Sequence, residues 1–104
     1  MFDGIDHVGI AVAEIDSALA LYCDTFSMEL VHRERVEEHD VEIAMLRAGD
    51  GQVELVAPLG AETAVGRFLA ARGSGLHHVA YRVSDIDAAL DELRARSVEL
   101  IDST

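Results

Sequence analysis

The sequence predicts an α+β chain built from paired βαβββ modules, the second lacking about two strands at Thr104. Three observations lead there. The chain matches itself in one register, which sets His7 on His78 and makes half the positions from Asp6 to Leu19 identical to their counterparts. Each copy begins with the two-residue alternation of a strand and passes into the three-and-four spacing of a helix. Between the copies lie two further apolar segments joined by a glycine turn. Internal repetition is weighed first because it decides the architecture.

In the first copy Val8, Ile10 and Val12 alternate with His7, Gly9 and Ala11, and in the second Val79, Tyr81 and Val83 alternate with His78, Ala80 and Arg82. One face of each strand is apolar and the other carries the histidine. Ile15, Ala18, Leu19 and Tyr22, matched by Ile86, Ala89, Leu90 and Leu93, then form the stripe of a helix that packs on a sheet. Ser84 and Asp85 are suited to cap the second of these helices. After a one-residue contraction Ser27-Met28-Glu29-Leu30 matches Ser97-Val98-Glu99-Leu100, which gives each copy a second strand. Val41 to Ala48 and Gln52 to Ala57 read as the third and fourth strands, with Gly49-Asp50-Gly51 as the tight turn between them. Thr63 is placed to cap a connecting helix whose stripe is Val65, Phe68 and Leu69, ended by Gly73-Ser74-Gly75. The single domain 1-104 thus divides into a first module over 1-60, a connector over 61-75 and the start of a second module over 76-104.

With 104 residues, 50% of them apolar and 27% charged, the chain suits one globular domain with a modest core. Its apolar runs fall far short of the roughly 20 residues of a bilayer span, and Met1-Phe2-Asp3-Gly4 has no signal-peptide character. No membrane partner is expected, and the protein reads as cytoplasmic. Twenty acidic against eight basic residues give a net charge of −12, which repels nucleic-acid backbones and excludes them as partners. An anionic small substrate remains compatible, because a metal ion inverts the local field. The single cysteine, Cys23, forms no internal disulfide, agrees with a reducing compartment and reads as an inert helix residue.

Strand parity sorts the polar residues. His7, His78, Glu54 and Glu42 are expected on the faces opposite the apolar ones, so that two imidazoles and two carboxylates line one side of the sheet. That set suits a divalent metal such as Co, Mn, Ni, Fe or Zn and does not choose among them. An isolated His or Glu on a strand is ordinarily just solvated; the repeat is what singles these out. By the same symmetry the counterpart of Glu54 falls beyond Thr104, so the fourth ligand is expected outside this sequence. His77 is expected to point to the other face as a packing or surface histidine. His32 and His39 sit among charges and are expected to be solvated, and the run Arg33-Glu34-Arg35 through Glu37-Glu38 to mark an exposed strand end and loop.

Three segments carry a family resemblance: Asp6-His7-Val8-Gly9-Ile10-Ala11-Val12, Val53-Glu54-Leu55-Val56-Ala57-Pro58-Leu59, and Gly75-Leu76-His77-His78-Val79-Ala80-Tyr81-Arg82-Val83. They resemble the glyoxalase or vicinal-oxygen-chelate superfamily, and most closely its methylmalonyl-CoA epimerases. The resemblance implies paired modules curled around a divalent metal, with His7, Glu54 and His78 as ligands. It also implies Glu42 as one of two acid–base glutamates that invert the carbon between a thioester and a carboxylate. The substrate implied is an acyl-CoA thioester, and the assembly a homodimer. The final-strand glutamate that serves that family as fourth ligand and second base lies outside this sequence, so the chain reads as part of a longer protein. Another metal-dependent member, such as a lactoylglutathione lyase, or a non-catalytic small-molecule-binding member are the alternatives.

Overall fold

Residues 2–96 are described by the computed structural model. In chain order they form β1 (Gly4–Ala11), α1 (Ile15–Leu19), β2 (Glu29–Val36), β3 (Val41–Ala48), β4 (Gly51–Pro58), α2 (Ala64–Arg72), β5 (Gly75–Arg82) and α3 (Ile86–Ala95). One mixed sheet takes the five strands in the order β2-β3-β4-β1-β5. β1 runs parallel to β4, and every other neighbouring pair is antiparallel. The first βαβββ unit is therefore complete, and β5 with α3 opens the second. The expected match at 97–100 lies outside the described residues.

Local chemistry explains the boundaries. The α1 stripe buries Ile15 and Ala18, after which the helix widens into a π turn over Ala20–Thr25 that keeps Tyr22 and Cys23 against the core. Thr63 caps α2 by accepting from the Gly66 N–H at 3.0 Å, and Asp85 caps α3 by accepting from the Ala88 N–H at 3.0 Å. β2 is longer than the charge pattern predicts, since Arg33-Glu34-Arg35 lies inside it. The reason is its place at the sheet edge, where water solvates alternating charges and unpaired strand edges are kept apart by them. Between β3 and β4 the register pairs Ala48 with Gly51, leaving a loop of only Gly49 and Asp50, with Gly49 at φ 60°.

The core lies on both faces of the sheet. Val12, Ile15, Ala18, Ala44, Leu46, Leu55 and Ala57 bury on the α1 side. Ala11, Val41, Val56 and Val65 bury on the α2 side, with Phe68 and Leu69 packed against them. β3 and β4 consequently contribute buried apolar residues to both faces. No helix of the described residues is long and apolar enough to cross a membrane.

Candidate metal centre

Three adjacent strands deliver the site. The parallel register sets Gly9 beside Glu54 and Ala11 beside Val56, so His7, two residues from Gly9, shares the face of Glu54. β5 lies on the other side of β1 and pairs His78 with Gly9. The His7 Nε2 is 3.1 Å from the His78 Nε2, and the Glu54 Oε1 is 3.7 Å from the first and 3.3 Å from the second. Among the described residues this is the one cluster of three such ligands. The Glu54 and His7 side chains are only 15% and 16% exposed, and that of His78 33%.

The donor set fits a divalent ion. Two ligand atoms bound at about 2.1 Å to one ion lie about 3.0–3.4 Å apart, so two edges of the triangle already have that length and the third is slightly longer. The Asp6 carboxylate accepts from the His7 Nδ1–H at 2.8 Å. A carboxylate oxygen only accepts, so Nδ1 carries the proton and the Nε2 of the neutral ring offers a lone pair to the triangle. Burial pushes the His78 pKa down, with a smaller opposing pull from the Glu54 charge, which favours the neutral, ligating imidazole. His78 is seated directly over Gly9: a Cβ at that position would lie 2.1 Å from its Cε1.

Glu42 is not brought to this centre. The register pairs Met45 with Glu54 and Ile43 with Val56, so the odd-numbered residues of β3 share the face of Glu54. Glu42 pairs with Ala57 on the α1 side, where its carboxylate accepts from the Arg33 Nε–H at 3.0 Å. Arg33 also donates to Asp16 of α1 at 2.7 Å, and the two carboxylates raise its pKa, Glu42 more than Asp16. The expectation that both carboxylates line one face is thus corrected: β3 presents Val41, Ile43 and Met45 to the metal side. His77 is a second correction. It does pack, edge-on to Phe68 with ring centroids 4.9 Å apart, but it stands as an extra residue between the paired positions Leu76 and His78, and its Nδ1 lies 2.9 Å from that of His78. The break in alternation turns it toward its neighbour. His32 and His39 are exposed, the former 2.9 Å from Glu34. Asp6, Gly9 and His77 are the residues at this centre that strand parity does not find.

Comparison with known proteins agrees with this arrangement. The chain is 40% identical to methylmalonyl-CoA epimerase from Mycobacterium tuberculosis, whose crystal structure it matches with a TM-score of 0.91 over 99% of this chain and 70% of that one. It matches a Streptomyces coelicolor methylmalonyl-CoA epimerase in complex with 2-nitronate-propionyl-CoA at 33% identity and TM-score 0.92, covering 99% of this chain and 76% of that one. It is 39% identical to the uncharacterized Bacillus subtilis protein YqjC over 94% of this chain and 70% of that protein. Residues 6–104, which include all three candidate ligands, match the glyoxalase/bleomycin resistance protein/dioxygenase family model, and the chain belongs to that superfamily.

Proposed function

We propose that the protein is a divalent-metal-dependent epimerase that interconverts the (2R) and (2S) forms of methylmalonyl-CoA. The observation that carries this reading is the convergence of His7 Nε2, His78 Nε2 and Glu54 Oε1 on one point of a half-buried face. A bound divalent ion supplies Lewis acidity, stabilising the negative charge that develops on a thioester oxygen as the α-proton leaves. The rest is the work of side chains. His7, Glu54 and His78 hold the ion from three strands, with the carboxylate offsetting half its charge. Ile43, Met45 and Val56 give the same face an apolar floor, which strengthens electrostatic interactions above it. With its carboxylate turned to Arg33 and α1, Glu42 is not proposed as one of the groups that take and return the α-proton. Assembly as a homodimer is part of the reading and is checked by sedimentation.

The test is solvent exchange. One stereoisomer of methylmalonyl-CoA in deuterated water, with cobalt added, is expected to acquire label at the α-carbon and invert. The His7→Ala/His78→Ala variant is expected to do neither. In protein that carries the final-strand glutamate implied by the resemblance, metal binding with neither labelling nor inversion of the substrate refutes the reading. The same donor set would also serve one second reading, another metal-dependent member of the superfamily such as a lactoylglutathione lyase, in which this face carries another substrate. Turnover of the glutathione–methylglyoxal adduct in place of methylmalonyl-CoA is the result that would select it.

A further inference from the structure

We propose that Asp6 and His77 are paired positioning residues that fix His7 and His78 in the tautomer with the proton on Nδ1, so that both Nε2 lone pairs face the metal position. The inference rests on the metal reading above and extends it to residues outside the ligand triangle. Three independent features agree. In the internal repeat, the register that sets His7 on His78 also sets Asp6 on His77, so each residue stands immediately before its ligand. In the β1–β5 ladder Ile5 pairs with Tyr81 and His7 with Ala80, while Gly9 pairs with His78 and Ile10 with Leu76. Asp6 and His77 are therefore each the extra, unpaired residue at an irregularity in the ladder. An extra residue of this kind re-aims its side chain, here back onto its neighbour's ring. The contacts follow: Asp6 Oδ2 is 2.8 Å from His7 Nδ1, and His77 Nδ1 is 2.9 Å from His78 Nδ1.

The chemistry assigns the protons. Asp6 only accepts, so His7 Nδ1 donates. Between the two adjacent rings one nitrogen donates and the other accepts, and with a cation bound the choice is set by the far side of His78. Its Nε2 faces the His7 Nε2 lone pair and the Glu54 carboxylate. With His78 Nδ1 donating to His77, three acceptor atoms meet without a proton between them, an arrangement that a cation satisfies and that is costly without one. His77 is held for this role by Phe68 of α2, whose ring it meets at 79°, so the connecting helix braces the second ligand. A hydrogen-bonded outer partner for each ligating imidazole fixes ring orientation and raises ligand basicity. Here one partner is a carboxylate and the other an imidazole, so the two copies use different side chains at one position.

The experiment has two readouts. In zinc-loaded protein, long-range nitrogen–proton NMR spectra of ring-labelled histidine are expected to place the proton of both His7 and His78 on Nδ1. A proton on Nε2 of either ring overturns the proposal. In zinc and cobalt titrations, Asp6→Ala and His77→Ala are each expected to weaken binding about 10- to 100-fold with the fold retained by circular dichroism. Asp6→Asn and His77→Asn, which keep an acceptor oxygen near the same place, are expected to recover part of that loss. Alanine variants that bind as tightly as wild type overturn the positioning role. So does a loss that the asparagine variants leave in full. The His7→Ala/His78→Ala control separates the two readings: if it binds metal like wild type, the metal centre itself fails, whereas intact dependence on it with no effect at Asp6 and His77 removes only the outer pair.

Discussion

Gly9→Ala separates the site from the fold. The added Cβ would lie 2.1 Å from His78 Cε1 and 2.4 Å from both ring nitrogens. Comfortable carbon contacts begin at about 3.5 Å, so the ring has to retreat by roughly 1.4 Å or more. The backbone has no reason to move, because Gly9 lies in a strand and its φ is not in the left-handed region. The ring does, since its side chain is 33% exposed and has room on its solvent side. Any such swing carries Nε2 out of a triangle whose edges at that atom are 3.1 and 3.3 Å, and the ion loses one of three protein ligands. Losing an outer-shell partner costs about 10- to 100-fold in affinity, so displacing a ligand is expected to cost at least about 100-fold, or about 2.8 kcal/mol. Competition titration against a chromophoric chelator measures this, with urea unfolding of the metal-free protein expected to stay near wild type. Gly9→Ala added to His78→Ala should weaken binding no further, since the ring it displaces is already gone. Wild-type metal affinity in Gly9→Ala would refute the placement of His78 over Gly9.

Gly66→Ala should have the opposite profile. Its Cβ would meet the backbone oxygens of Ala61 and Gly60 at 2.6 and 2.7 Å, which cannot rotate away, so urea unfolding should show a loss of about 1–3 kcal/mol with metal affinity of the folded protein unchanged. Glu42→Gln should leave metal affinity and solvent exchange at the substrate α-carbon as in wild type, because its carboxylate faces Arg33 and α1; loss of exchange with metal retained would return Glu42 to the mechanism. The metal-free protein should lose stability as pH falls below the ordinary histidine value of about 6.5. Burial lowers the His78 pKa in the folded state, so the unfolded chain takes up the proton first and acid favours unfolding. Urea midpoints at neutral and mildly acidic pH check this, and His78→Gln should flatten the dependence.

Most of the candidate metal centre is legible in the repeat, because His7 and His78 fall in one register and both lie in a strand with clear alternation. Glu42 was misplaced for a definable reason. Alternation in β3 sets Val41, Ile43 and Met45 on the helix-packed side and Glu42 opposite, but the ladder pairs Met45 with Glu54. One residue of slip moves every side chain of a strand to the other face. The error has no internal check within β3, where Val41, Ile43, Ala44, Met45 and Leu46 are apolar on both sides. That pattern arises because α1 covers one face and α2 part of the other, and a strand buried on both faces carries no alternation to count. His77 was misplaced by the same rule applied across an irregular ladder, and nothing in the local composition marks such a break.

The irregularities and the two-residue turn have a common consequence for how this sheet divides its labour. The α1 side is packed along β1, β3 and β4. The α2 side is packed only where Ala11, Val41, Val56 and Val65 meet, and a few residues along the same strands it turns polar at His7, Glu54 and His78. The helix that seals the apolar part also supplies Phe68 to His77, so the boundary between core and metal centre is a contact between side chains with no solvent gap required. A site built in this way on three neighbouring strands inherits their rigidity. The ligands come from both copies of the repeat, His7 and Glu54 from the first and His78 from the second, so the geometry of the centre depends on the β1–β5 ladder that joins them. Its two extra residues fall immediately before the two candidate ligands His7 and His78, which is where a departure from regular pairing adds an outer contact without displacing either histidine from its face.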